Sequence, residues 1–180
     1  MYFSSLMVAL ASAVPAWTAQ RAPCLTDAEA QRLTENFAWM VSSWKLNVPK
    51  SEELLLQSVS PTVHDYSASV INLETAGCRS GPRPLDSNRE EFAADQLNIE
   101  PFELNVLQVW HSCNTISFRW NAPQRVRDVT GLVVLETVPA PPGGSFRHII
   151  QTIYSEFDTA AFLVNTGAFQ PANCTSSEEA

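Results

Sequence analysis

The run Val129-Thr130-Gly131-Leu132-Val133-Val134-Leu135-Glu136-Thr137-Val138, with Phe146-Arg147-His148-Ile149-Ile150-Gln151-Thr152-Ile153-Tyr154-Ser155-Glu156-Phe157 after it, decides how this chain folds. Both stretches are rich in β-branched and aromatic residues and lack helical spacing, which marks long strands. Phe102 to Trp110 and Thr115 to Trp120 have the same texture. The links between the four runs are turn formers: His111-Ser112-Cys113-Asn114, Asn121-Ala122-Pro123-Gln124, and Pro139 to Gly144. Neighbouring strands are therefore expected to pair antiparallel.

Towards the amino terminus the period changes. Thr26-Asp27-Ala28-Glu29 reads as a capping box, in which hydroxyl and carboxylate each satisfy a first-turn amide. Ala30, Leu33, Phe37, Met40, Val41 and Trp44 then recur at three and four, predicting a helix to about Trp44 that Asn47, Val48 and Pro49 end. Ser51 is expected to cap a shorter helix that stops before Pro61. Val63 to Leu73 reads as irregular strand, Cys78 to Pro84 as a loop, and Ser87-Asn88-Arg89-Glu90 as a second capping box opening a third helix through Phe92 and Leu97. Helices first and a strong sheet last give an α+β fold, with a curved antiparallel sheet wrapping three amino-terminal helices and leaving a concave face.

Residues 1–16 carry a short apolar core without charge and then small residues, the pattern of a signal peptide cleaved after Ala16 or Ala13. One domain over 24–170 and a flexible tail over 171–180 are expected. A net charge of -8 without any basic run argues against nucleic acid and against anionic membrane surfaces. Cys24, Cys78, Cys113 and Cys174 show no metal-ligand or redox spacing, so two disulfides are the simplest reading, with three connectivities open. Asn173-Cys174-Thr175 is a glycosylation sequon.

Three segments carry a resemblance: Cys24-Leu25-Thr26-Asp27, Val109-Trp110-His111-Ser112-Cys113-Asn114, and Tyr154-Ser155-Glu156-Phe157-Asp158-Thr159-Ala160-Ala161-Phe162-Leu163-Val164-Asn165. Together with the element order, they resemble secreted fungal members of the nuclear transport factor 2-like superfamily, which includes SnoaL-like polyketide cyclases. The resemblance implies a cone-shaped α+β barrel and a Cys24–Cys113 bridge, which leaves Cys78 and Cys174 over. It further implies ring closure or isomerisation of a polyketide-type molecule by acid/base side chains, without metal or organic cofactor, in secondary-metabolite (mycotoxin) biosynthesis along the secretory route. A homodimer is compatible with it. The rival reading is a secreted binding or effector protein of the same fold without chemistry, and the discriminator is whether two titratable groups converge inside a pocket of the cone; a purely apolar lining there would exclude the enzyme reading.

Among the residues, His64-Asp65-Tyr66 is the densest proton-handling group, although strand alternation sets Asp65 opposite the other two. On the last strand His148, Ile150, Thr152, Tyr154, Glu156 and Asp158 share one face, while Ile149, Gln151, Ile153, Ser155 and Phe157 share the other. If the first looks inward, Tyr154 and Glu156 could polarise a carbonyl and remove a proton. If the second does, Gln151 and Ser155 line the site instead. His64, Asp65, Tyr154 and Glu156 are thus the catalytic candidates, with Tyr66, Glu136, Trp110 and Phe118 as binding candidates. Core packing is the alternative role for the two aromatics Trp110 and Phe118. His64, His111 and His148 stand apart and form no metal motif.

Overall fold

The computed structural model describes residues 23–79, 81 and 83–171. The expected leader, Asn173, Cys174 and the tail beyond Pro171 lie outside the described residues.

Helix α1 (Asp27–Ser43) starts at Thr26, whose hydroxyl accepts the Glu29 amide at 3.3 Å. Its stripe Ala30, Leu33, Phe37 and Met40 is buried, and Trp44 beyond it is buried too. The Glu29 carboxylate departs from the expected box and reaches the last strand. A single 3-10 turn, Trp44–Leu46, leads into α2 (Val48–Ser58), which Asn47 caps by accepting the Lys50 amide at 3.1 Å. Pro49 thus opens a helix instead of ending one, because in the first turn its missing N–H has no intrahelical partner to lose. Ser51, expected as the cap, lies inside α2, where its hydroxyl donates to the carbonyls of Trp44 and Asn47.

Strand β1 (Val59–Tyr66) follows α2 directly. The expected strand to Leu73 gives way to α3 (Ala68–Glu74), a helix capped by Ser67, which accepts the Val70 amide at 3.1 Å. Helix α4 (Arg89–Gln96) starts one residue later than expected, since Asn88 accepts the Glu91 amide and Glu91 in return accepts the Ser87 amide.

The four long strands are β2 (Asn105–His111), β3 (Thr115–Ala122), β4 (Val129–Pro139) and β5 (His148–Phe157). Their order is β1-β5-β4-β3-β2. β2 to β5 pair antiparallel as expected, but β1 lies parallel to β5, so the sheet is mixed. The edge position explains why Pro61 is tolerated in β1. After β5 comes α5 (Thr159–Asn165), which the sequence reading did not anticipate and which Asp158 caps.

The sheet curves around α1. Phe37 packs edge-on to Phe118 at 6.0 Å and lies 6.4 Å from Phe92 of α4, so aromatic rings fill the centre of the cone. Gly131 leaves room for the Trp120 indole, which lies 2.5 Å from where a Cβ would sit. A Cys24–Cys113 disulfide ties the segment before α1 to the β2–β3 turn, beside a Leu25 N–H to Cys113 carbonyl bond of 2.9 Å. Cys78 is exposed and bridges no other described cysteine. Among the described residues no helix is long and apolar enough to cross a membrane.

Candidate functional site

A bulge decides which side chains of β5 enter the cone. Thr137 of β4 pairs with Ile150, but Glu136 pairs with Thr152, so Gln151 is an extra residue in β5. An inserted residue reverses the faces beyond it. His148 and Ile150 point inward before the bulge, and Ile153 after it. The strand therefore presents each of the two alternative faces over half its length. Tyr154 and Glu156 fall on the outside.

There Tyr154, 42% exposed, stacks on Tyr66 at 5.3 Å, and Tyr66 stacks on His64 at 6.4 Å. Desolvation between these neighbours, followed by the nearby Glu136 and Tyr66, holds the Tyr154 phenol above its ordinary value. Glu156 is occupied by α3: its carboxylate accepts the amides of Ala68 (2.8 Å) and Ser69 (2.9 Å) and the Ser69 hydroxyl. That is the place of an anion at a helix start. Glu136 is exposed in the middle of the outer face, as is Trp110 at 45%. Phe118 is fully buried in the core.

The structure therefore separates the candidate set. His64, Tyr66, Tyr154, Glu156, Glu136 and Trp110 share the outer face, and Asp65 is the one titratable candidate that points inward with the core residue Phe118. Asp65 pairs in register with the core residue Ile153.

What meets Asp65 inside comes from a segment read as loop. The Asp65 N–H donates to the Asp86 carbonyl at 2.9 Å, and the Leu85 N–H donates to the Asp65 carbonyl at 2.6 Å, forming a short antiparallel bridge. Both carboxyls are buried, at 6% exposure for Asp65 and 2% for Asp86. Asp65 Oδ1 and Asp86 Oδ2 have no hydrogen-bond partner among the described residues. Burial first, and the charge of Asp86 second, push Asp65 up to about 7. Asp86 is also raised to about 7, by burial and then by Asp95 of α4, which interacts with it by charge and by hydrogen bond. Burial and neighbouring negative charge both disfavour ionisation here, so Asp65 and Asp86 keep their protons to higher pH than free aspartates do. Among the described residues no three His, Cys, Asp or Glu side chains are placed to hold a metal ion.

A second buried charged group has a structural geometry. The Glu29 carboxylate accepts the Arg147 amide (3.0 Å), the Arg147 guanidinium (2.8 Å), the His148 amide (3.1 Å) and His148 Nδ1 (3.1 Å). Burial would raise Glu29, but the bonds from His148 and Arg147 hold it below the usual carboxylate value. It clamps the start of β5 to α1. His111 lies at the exposed end of β2 and bonds Asp27 through Nε2 at 2.8 Å, which together with the Ser112 carbonyl raises the imidazole above its ordinary value.

Comparison with known proteins bears on this arrangement. The family profile of the NTF2-like domain matches residues 23–169. Among solved structures, TsrD from Streptomyces laurentii is 13% identical with a TM-score of 0.54, the match covering 81% of this chain and 99% of that one. A candidate polyketide cyclase from Bacillus cereus ATCC 10987 is also 13% identical, with a TM-score of 0.54 and coverage of 81% and 87%. IdmH, a candidate polyketide cyclase from Streptomyces antibioticus, is 14% identical with a TM-score of 0.51 and coverage of 77% and 99%. At such identities the likeness is one of fold. No curated protein matches the sequence significantly.

Proposed function

The chain belongs to the NTF2-like domain family, and from that premise we propose that it is a SnoaL-like cyclase or isomerase working by acid/base chemistry without a cofactor. One observation carries the reading: Asp65 and Asp86 converge on the concave side of the sheet, both held near neutrality. Paired carboxyls whose titration lies near working pH suit general acid/base work. In this reading the Asp65 carboxylate takes a proton from a carbon flanked by two carbonyls, and an enolate forms. The enolate carbon attacks a second carbonyl carbon and one C–C bond closes. The alkoxide so formed takes a proton from the carboxylic acid partner, and the pair ends with as many protons as it began.

A polyketide-type substrate of a fungal secondary-metabolite route, mycotoxin biosynthesis included, fits that chemistry. The disulfide is compatible with an oxidising, extracellular-type compartment, and with the leader it supports the secretory route as part of the proposal.

The test is proton-deuterium exchange at the methylene of a β-keto ester in D2O, followed by NMR. Wild-type protein is expected to accelerate exchange and Asp65→Asn to lose at least about a hundredfold of that acceleration. Equal rates with both proteins would refute the role of Asp65.

The filled centre of the cone, with Leu33, Met40, Phe92 and Phe118 wholly buried, supports a second reading. There the protein binds a ligand without transforming it, for instance in the groove of about 380 Å3 between α1 and β2 that Trp39, Phe102 and Leu104 line. Absence of exchange in the wild type, with saturable ligand binding, is its signature.

A further inference from the structure

Asp65 sits where the proposed chemistry needs it, yet almost no solvent reaches it. Alongside it runs the described stretch 83–88 before α4. This strap meets β1, among the described residues, through two backbone hydrogen bonds, Asp65 to Asp86 and Leu85 to Asp65. Its charges oppose it: Asp65 from β1, Asp86 from the strap, Asp95 and Glu91 from α4 and Glu74 from α3 all act on this point. Among the described residues no cation is seen to act on either carboxyl. Arg89 of α4 gives its guanidinium to the Val59 carbonyl at 3.2 Å, Arg79 and Arg83 lie at a surface cavity beside Glu74, and His64 and Tyr66 face the opposite side of the sheet. That cavity, about 230 Å3, is lined by Ile71, Thr75 and Leu85, so the strap borders open space at Leu85.

We propose that the strap is a proton-operated latch over the candidate site. It stays clasped while Asp65 and Asp86 keep their protons, and it lifts as they are lost. Like charges in a poorly solvated site repel unless one is neutralised or water enters. Lifting the strap admits water. The inference concerns the regulation of the site proposed above and rests on that reading for its purpose, but its physical content is independent of any reaction.

The experiment is amide hydrogen exchange of the intact protein, read at the Leu85 and Asp65 amides by NMR between pH 6 and pH 8.5 and corrected for intrinsic rates. A clasp whose carboxyl titrates near 7 when closed and near 4 when open loses about tenfold protection over this range, nearly all of it below about pH 7. In Asp86→Asn the loss is expected to shrink to about threefold or less, and Asp95→Asn provides a second variant should the first not fold. Protection at Leu85 that stays level with the β3–β4 amides at every pH overturns the latch, as does an undiminished pH dependence in both variants. Loss of β-keto ester exchange with an intact latch signature would instead count against the catalytic reading alone.

Discussion

Replacing Asp65 by Asn is expected to make the protein more stable at alkaline pH while removing the proposed chemistry. The carboxyl stands at about 7 in the folded chain against an ordinary value of 3.8. Below about pH 4 it is protonated in both states and contributes no difference. Between about 4 and 7 the unfolded chain has released the proton and the folded chain has not, so stability falls as pH rises. Above 7 the full cost is present, about 3 pKa units at 1.36 kcal/mol each, or roughly 4 kcal/mol. Part of this is repulsion from Asp86, and relaxation with water entry reduces the observable to about 2–4 kcal/mol. Asn has nearly the same shape, carries no charge, and can donate to the Asp86 carboxylate. Urea denaturation at pH 5 and pH 8 reads the difference directly: at pH 8 the midpoint of Asp65→Asn should rise by about 1–2 M, with a much smaller rise at pH 5. A variant less stable than wild type at pH 8, or one shifted equally at both pH values, would show that the buried carboxyl carries no such cost.

Further expectations concern the frame around the site. Glu29→Ala leaves two backbone N–H groups and the buried His148 ring without their acceptor and should cost about 3–5 kcal/mol by urea denaturation at neutral pH. Because Glu29 is held below its ordinary value, that contribution is present above the unfolded carboxylate pKa and fades as pH falls through the lower folded one. Gly131→Ala drives a methyl into the Trp120 indole and should lower stability by about 1–3 kcal/mol, an effect that Gly131→Ala in a Trp120→Leu background should largely lose. Breaking the Cys24–Cys113 bridge, which spans 89 residues, by the double substitution to Ser should cost about 4–5 kcal/mol on loop entropy. Denaturation under non-reducing conditions checks it.

The long elements were legible because their signals are local. Apolar spacing of three and four marked α1, and β-branched runs between turn formers marked β2 to β5. Other features are set by partners far along the chain. Helix α3 has seven residues, too few for a period, and part of its start is stabilised by Glu156, 88 residues away. The bulge at Gln151 carries no sequence mark, yet it decides that Tyr154 faces out while His148 faces in. Glu29 reads as half of a capping box because nothing local reveals Arg147 and His148 as its partners. The parallel pairing of β1 with β5 likewise follows from topology. Asp65 was legible only as one of the group His64-Asp65-Tyr66, and its counterpart Asp86 stood in a loop just before a helix cap, where Asp is an ordinary turn former. The one available hint was the density of acids from Asp86 to Asp95 without an equal number of bases.

The central question of the mechanism is whether Asp65 and Asp86 keep their protons near neutral pH. A carbon-13 NMR titration of aspartate-labelled protein, with the two carboxyl signals assigned through Asp65→Asn and Asp86→Asn, measures this directly. Both signals are expected to move with midpoints near 7, and the Asp65 midpoint is expected to fall when Asp86 is replaced. Midpoints near 4 for both carboxyls, unchanged by either substitution, would contradict the claim that this buried pair handles protons.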